Sequence, residues 1–83
     1  MVTFEAVQQV IGDVLHLGER SAQLNRTTAL MGSIPEFDSM AVVTLIAALE
    51  ERFGILVEDD EISADTFATV GSVYDFVLRK VAA

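Results

Sequence analysis

The 83-residue chain carries thirteen acidic against five basic residues, a net charge of −8 that opposes binding to phosphate backbones and to anionic lipid. Its apolar content of 52% is too high for a disordered chain, yet no uninterrupted apolar run approaches the roughly 20 residues of a membrane span. There is no Cys and one His, which excludes disulfides, thiolate metal sites and a Ser/His/Asp set, so any thiol chemistry has to be brought in from outside.

This length predicts a single domain over residues 1–83, too small for an enclosed catalytic cleft. No basic cluster precedes an apolar segment at the amino terminus, and the first residues already carry helical periodicity. A cleaved signal peptide is therefore not expected, and the location read from the sequence is cytoplasmic.

Phe4, Val7, Val10, Ile11, Val14 and Leu17 recur at spacings of three and four, which predicts a first helix over Phe4 to Leu17 with one buried face. Thr3 is its expected N-cap and Gly18 its stop, with His16 solvent-facing in the last turn. Residues 18–38 read as a long loop pinned to the core by Leu24, Leu30, Met31 and Ile34, with a short helical turn available to Thr27 to Met31. Pro35 fixes the backbone ahead of Asp38 and biases Ile34 toward an extended conformation.

A second helix follows from Ser39 to Phe53, with Asp38 as N-cap and Gly54 as terminator. Met40, Val43, Ile46, Ala47 and Phe53 are assigned to its main stripe, flanked by Val42, Leu45 and Leu49. An apolar belt this wide implies burial on two sides or a partly exposed surface for a partner. Glu58, Asp59, Asp60 and Glu61 lack the alternation and central Gly of a calcium loop and read as a solvated negative surface, so no metal site is expected.

A short third helix is predicted over Ile62 to Phe67, both ends anchoring in the core. The last helix runs from Val70 to Val81, with Val70, Val73, Tyr74, Val77 and Val81 on one face, Thr69 as N-cap, and Arg79 and Lys80 complementing the dipole at its end. The fold class is all-α: a small bundle of three longer helices plus one short helix, with a long loop between the first and second.

Asp38 and Ser39 admit two readings. Both residue types are common at helix starts, so a pure cap is one. A helix N-terminus also favours negative charge, so a phosphodiester on Ser39 would sit in a favourable field.

Asp38-Ser39-Met40, followed by Val43, Ile46, Ala48-Leu49-Glu50-Glu51 and Phe53-Gly54-Ile55, resembles the prosthetic-group region of acyl carrier proteins, and Thr69-Val70 resembles the start of that family's last helix. The resemblance implies that a separate, magnesium-using phosphopantetheinyl transferase esterifies Ser39 with 4′-phosphopantetheine from coenzyme A. It also implies a phosphoprotein that carries acyl groups as thioesters in fatty acid or polyketide biosynthesis, a carrier and not an enzyme. Asp38 and Met40 would meet the transferase. Phe37, Ala41, Val42, Thr44 and Leu45 would meet the acyl-loading and acyl-accepting enzymes, and Val43, Ile46, Ala47, Ile62 and Tyr74 would line an acyl pocket.

Two departures stand out: Glu36 replaces a Gly found in many carriers, and Ala41 and Thr44 stand where fatty-acid carriers have acids. Residues Pro35 to Val42 also resemble the small carriers of exosortase and exopolysaccharide systems. The protein is expected to be a monomer that neither binds nucleic acid nor inserts in membranes. Alternatives are an aminoacyl or peptidyl carrier, and a helical interaction domain without a prosthetic group.

Overall fold

The structure, a computed structural model, describes residues 2–30 and 38–82. Three α-helices, α1 (Phe4–Val14), α2 (Ser39–Phe53) and α3 (Val70–Ala82), pack together with two short 3₁₀ helices, Gly18–Gln23 and Asp59–Glu61. Val7, Val10 and Ile11 of α1, Leu45 and Leu49 of α2, and Val70, Val73 and Val77 of α3 form the core, joined by Leu15, Leu17, Leu24, Leu30 and Phe67 from the connections. None of the described helices is long and apolar enough to cross a membrane.

Thr3 caps α1 by accepting the Ala6 N–H at 3.1 Å. The helix stops at Val14, three residues before the expected end, because His16 takes the left-handed conformation at φ 56°. The Leu17 N–H then reaches the Gly12 carbonyl at 2.9 Å and the His16 N–H that of Asp13 at 3.4 Å, satisfying carbonyls that the helix end would leave open. His16 is exposed but beyond the last turn, and Gly18 opens the first 3₁₀ helix instead of closing α1.

The long connection is more structured than the sequence suggested. Its 3₁₀ helix lies directly on α1, where any Cβ at Gly12 would overlap the Ser21 side chain. Thr27 to Leu30 do not form a helical turn; Ala29 makes an antiparallel bridge with Thr69, because three backbone bonds join this stretch to the start of α3. The Leu30 N–H donates to Ala68, that of Val70 to Thr28 and that of Gly71 to Arg26, at 2.9, 3.0 and 3.0 Å. Arg26 adds a two-pronged pair with Asp75 at 3.1 and 3.0 Å and lies 5.7 Å from the Tyr74 ring centre. Leu24 and Leu30 are buried as expected; Met31 and Ile34 lie outside the described residues.

Helix α2 has the expected bounds but turns a different face inward. Leu45 and Leu49 are fully buried, whereas Met40 and Val43 are 70% and 62% exposed and Ala47 faces solvent. Almost every position from 40 to 49 is apolar, so periodicity could not select the inner row; Leu45 and Leu49 enter the core, with Ala41, Val42 and Ala48 half-buried against it beside Ile46 and Phe53, which pack inward as expected. Gly54, at φ 67°, ends the helix with its N–H on Glu50 at 2.9 Å, a conformation that costs Gly little.

The short third helix falls in the acidic run at Asp59–Glu61, not at Ile62 to Phe67, which forms turns. Glu58 and Glu61 cap it reciprocally, each side chain taking the other's backbone N–H. Phe67 anchors the core, but Ile62 remains 39% exposed. On α3, Thr69 Oγ1 accepts the Ser72 N–H and Ser72 Oγ that of Thr69, both at 3.0 Å. Val81 is exposed, and Phe76 is buried beside Val73 and Val77 on the same helix.

Candidate functional site

The start of α2 carries the candidate site. Asp38 has an extended backbone, with φ −106° and ψ −173°, and its Oδ1 accepts the Ala41 N–H at 2.9 Å. Its carbonyl takes the Val42 N–H at 3.0 Å, so the residue closes the first turn from both backbone and side chain. Ser39 is the first helical residue, and Asp38, Ser39 and Met40 are all exposed. A hydroxyl there is open to a partner enzyme and sits at the positive end of a 15-residue helix, which suits an anionic substituent.

Beyond Ser39 an apolar strip runs along the solvent side through Met40, Val43 and Ala47. Thr44 lies beside it and donates its hydroxyl to the Met40 carbonyl at 2.9 Å, so even this polar side chain directs its proton inward. Residues 39–49 contain no charged side chain. Of the residues assigned to partner recognition, Thr44 is exposed, Ala41 and Val42 are half-buried, and Leu45 is fully buried in the core, where it cannot meet a partner. Phe37 lies outside the described residues.

A groove of about 210 Å³ opens beside α2, lined by Val42, Ile62, Ser63, Ala64 and Phe67. Val42 follows Ser39 by one helical turn, so the groove begins close to the hydroxyl. Of the five residues expected to line an acyl pocket, Ile62 lies on the wall of this groove. Val43 and Ala47 face solvent, Ile46 packs against the core, and Tyr74 stands edge-on to Phe4 with ring centres 5.5 Å apart. Ser63 and Ala64, which also line the groove, lie at a turn and not in the expected helix, and a turn has no period to read.

Next to Ile62 the connection is tied to α3 by charge. Lys80 Nζ on α3 lies 2.8 Å from Glu61 Oε1, and the same oxygen accepts the Glu58 N–H at 2.9 Å. The hydrogen bond from Lys80, and then that from Glu58, holds the Glu61 carboxyl below its ordinary range. Asp59 and Asp60 are exposed, so the expected negative surface holds for them, while Glu61 is half-buried and paired.

The family model described as the phosphopantetheine attachment site matches residues 5–77. An acyl carrier protein of Helicobacter pylori strain G27 is 34% identical over 77 residues, covering 93% of this chain and 92% of its own. One from Thermosynechococcus vestitus is 50% identical over 46 residues, covering 55% of this chain and 54% of its own. The solution structure of a holo acyl carrier protein from Nitrosomonas europaea, 54% identical and covering 100% of both chains, superposes with a TM-score of 0.91.

Proposed function

The chain belongs to the family of acyl carrier proteins with a phosphopantetheine attachment site, and on that footing we propose that Ser39 receives the 4′-phosphopantetheine arm. The observation that carries the assignment is the exposed Ser39 hydroxyl on the first residue of α2, behind a cap made by Asp38. When attached, the arm supplies a terminal thiol on which an acyl group is held as a thioester, a chemistry for which this chain has no residue of its own.

The chain's own residues position and present. Asp38 holds the first turn, which leaves Ser39 exposed at the positive helix end, and its carboxylate is the charged group a phosphopantetheinyl transferase meets there. Met40, Ala41, Val42 and Thr44 form the surface next to the arm, on which the transferase and the acyl-loading and acyl-accepting enzymes dock. The groove lined by Val42, Ile62 and Phe67 is an apolar place for the tail of an acyl chain, with Val42 one helical turn beyond Ser39. The protein acts as a soluble, cytoplasmic, single-domain carrier, presenting a substrate to enzymes and catalysing nothing itself.

The test is intact mass after incubation with coenzyme A, magnesium and a broad-range phosphopantetheinyl transferase. The wild type gains one phosphopantetheinyl group and Ser39→Ala gains none. Gain in both proteins would move the attachment point elsewhere.

A further inference from the structure

Both edges of the groove beside α2 are apolar, but they are held differently. Val42 belongs to a helix anchored by Leu45 and Leu49, whereas Ile62, Ser63 and Ala64 belong to an irregular connection. That connection is fastened to α3 at Thr66, whose carbonyl accepts the Ser72 hydroxyl at 2.8 Å, and, on the Ile62 side, at Glu61. Its carboxylate binds Lys80 at 2.8 Å and the Glu58 N–H at 2.9 Å, and its carbonyl accepts the Thr66 hydroxyl at 3.2 Å. Three local pieces thus meet at one residue, and Ile62 follows it directly.

The Lys80–Glu61 pair is also better shielded than Arg26–Asp75 or Arg52–Asp13. Its side chains are 22% and 30% exposed, against 55% and 47% for Arg26–Asp75 and 51% and 65% for Arg52–Asp13. Glu58, Asp59, Asp60 and Glu61 crowd four carboxylates into one turn, and like charges at that spacing repel. Lys80, aided by Arg79 nearby, opposes that repulsion.

We infer that Lys80 and Glu61 form a strap that sets the width of this groove, making Lys80 a positioning residue that governs how well an acyl tail of given length is shielded. The inference rests on Ser39 as the site of the arm. Without the Lys80 charge the acidic turn moves away from α3, Ile62 moves with it, and the groove opens. A chain too short to enter the groove is indifferent to the change, so the strap acts as a selector of length.

The full chain, loaded with either an octanoyl or an acetyl arm, is treated with hydroxylamine, and loss of the acyl group is followed by intact mass. Lys80→Met, which keeps the apolar stem, is expected to lose octanoyl roughly threefold faster than wild type, in line with the modest strength of a partly exposed pair, and acetyl at the same rate. Lys80→Arg restores the wild-type octanoyl rate. Equal octanoyl loss in wild type and Lys80→Met, or an equal rise for both acyl groups, overturns the strap. Amide hydrogen exchange on the unloaded chain provides a readout that needs no arm: the Ile62 and Phe67 amides, bonded to Asp59 and Ser63, exchange faster in Lys80→Met. Unchanged exchange there refutes the strap even if Ser39 takes no arm, whereas failure of Ser39 to take the arm refutes only the attachment assignment.

Discussion

Replacing Asp38 separates its cap from its charge, because Asn keeps the cap and loses the charge while Ala loses both. In the structure the cap is one hydrogen bond, from the Ala41 N–H to Oδ1 at 2.9 Å on the surface. Its removal costs about 1 kcal/mol, and loss of a carboxylate from an exposed helix start costs about 0.3–1 kcal/mol more. For a domain of this size each kcal/mol corresponds to roughly 4–8 °C in melting temperature. Asp38→Ala should therefore melt about 5–15 °C below wild type, and Asp38→Asn only about 1–8 °C below it, on the same scales. Modification of Ser39 should not follow that order. If the transferase reads the carboxylate, initial rates of phosphopantetheine transfer, measured by mass well below both melting points, fall strongly in both variants. An Asn variant modified at the wild-type rate would show that Asp38 only caps the helix.

Two further perturbations address the packing and the charge. Leu45→Ala, at a fully buried position, should destabilise the protein by about 2–5 kcal/mol in urea unfolding, while Val43→Ala, two residues earlier and 62% exposed, should stay within about 0.5 kcal/mol of wild type. A large loss at Val43 would mean that the other face of α2 is the inner one. Glu61 has a folded-state pKa held below its usual 4.5 by Lys80, so its contribution to stability is full above that value and fades as pH falls through the depressed one. The melting-temperature gap between wild type and Lys80→Met should accordingly be present at pH 6 and close on acidification below about 4.5; a gap independent of pH would exclude a charge origin.

The bounds of α2 and α3 were legible because their ends carry chemistry that acts locally. Asp38 before Ser39, Gly54 after Phe53 and Thr69 before Val70 each satisfy or release backbone groups within a few residues, and such signals need no knowledge of the fold. The end of α1 was hidden because a His, not a Gly, took the left-handed position, and nothing in its type announces that. The inner face of α2 was hidden for the opposite reason, an excess of signal, since apolar residues surround the helix and only contact with α1 and α3 decides among them. The same division runs through the site. Asp38 and Ser39 could be named from adjacency in sequence, whereas the groove and the Lys80–Glu61 pair join positions 19 or more apart and follow from packing alone.

The backbone seam between residues 26–30 and 68–71 changes what the first long connection is. Only four residues separate Ser21, seated on Gly12 of α1, from Arg26, whose carbonyl would lie 2.6 Å from a Cβ at Gly71 of α3. The segment is thus a crossbar between the first and last helices. Its opening cannot be a local fraying event, since freeing the Leu30, Val70 or Gly71 amide means parting the crossbar from α3. In cooperative terms α1, the crossbar and α3 form one frame, and α2 closes it through Leu45 and Leu49, which share the core with Leu30.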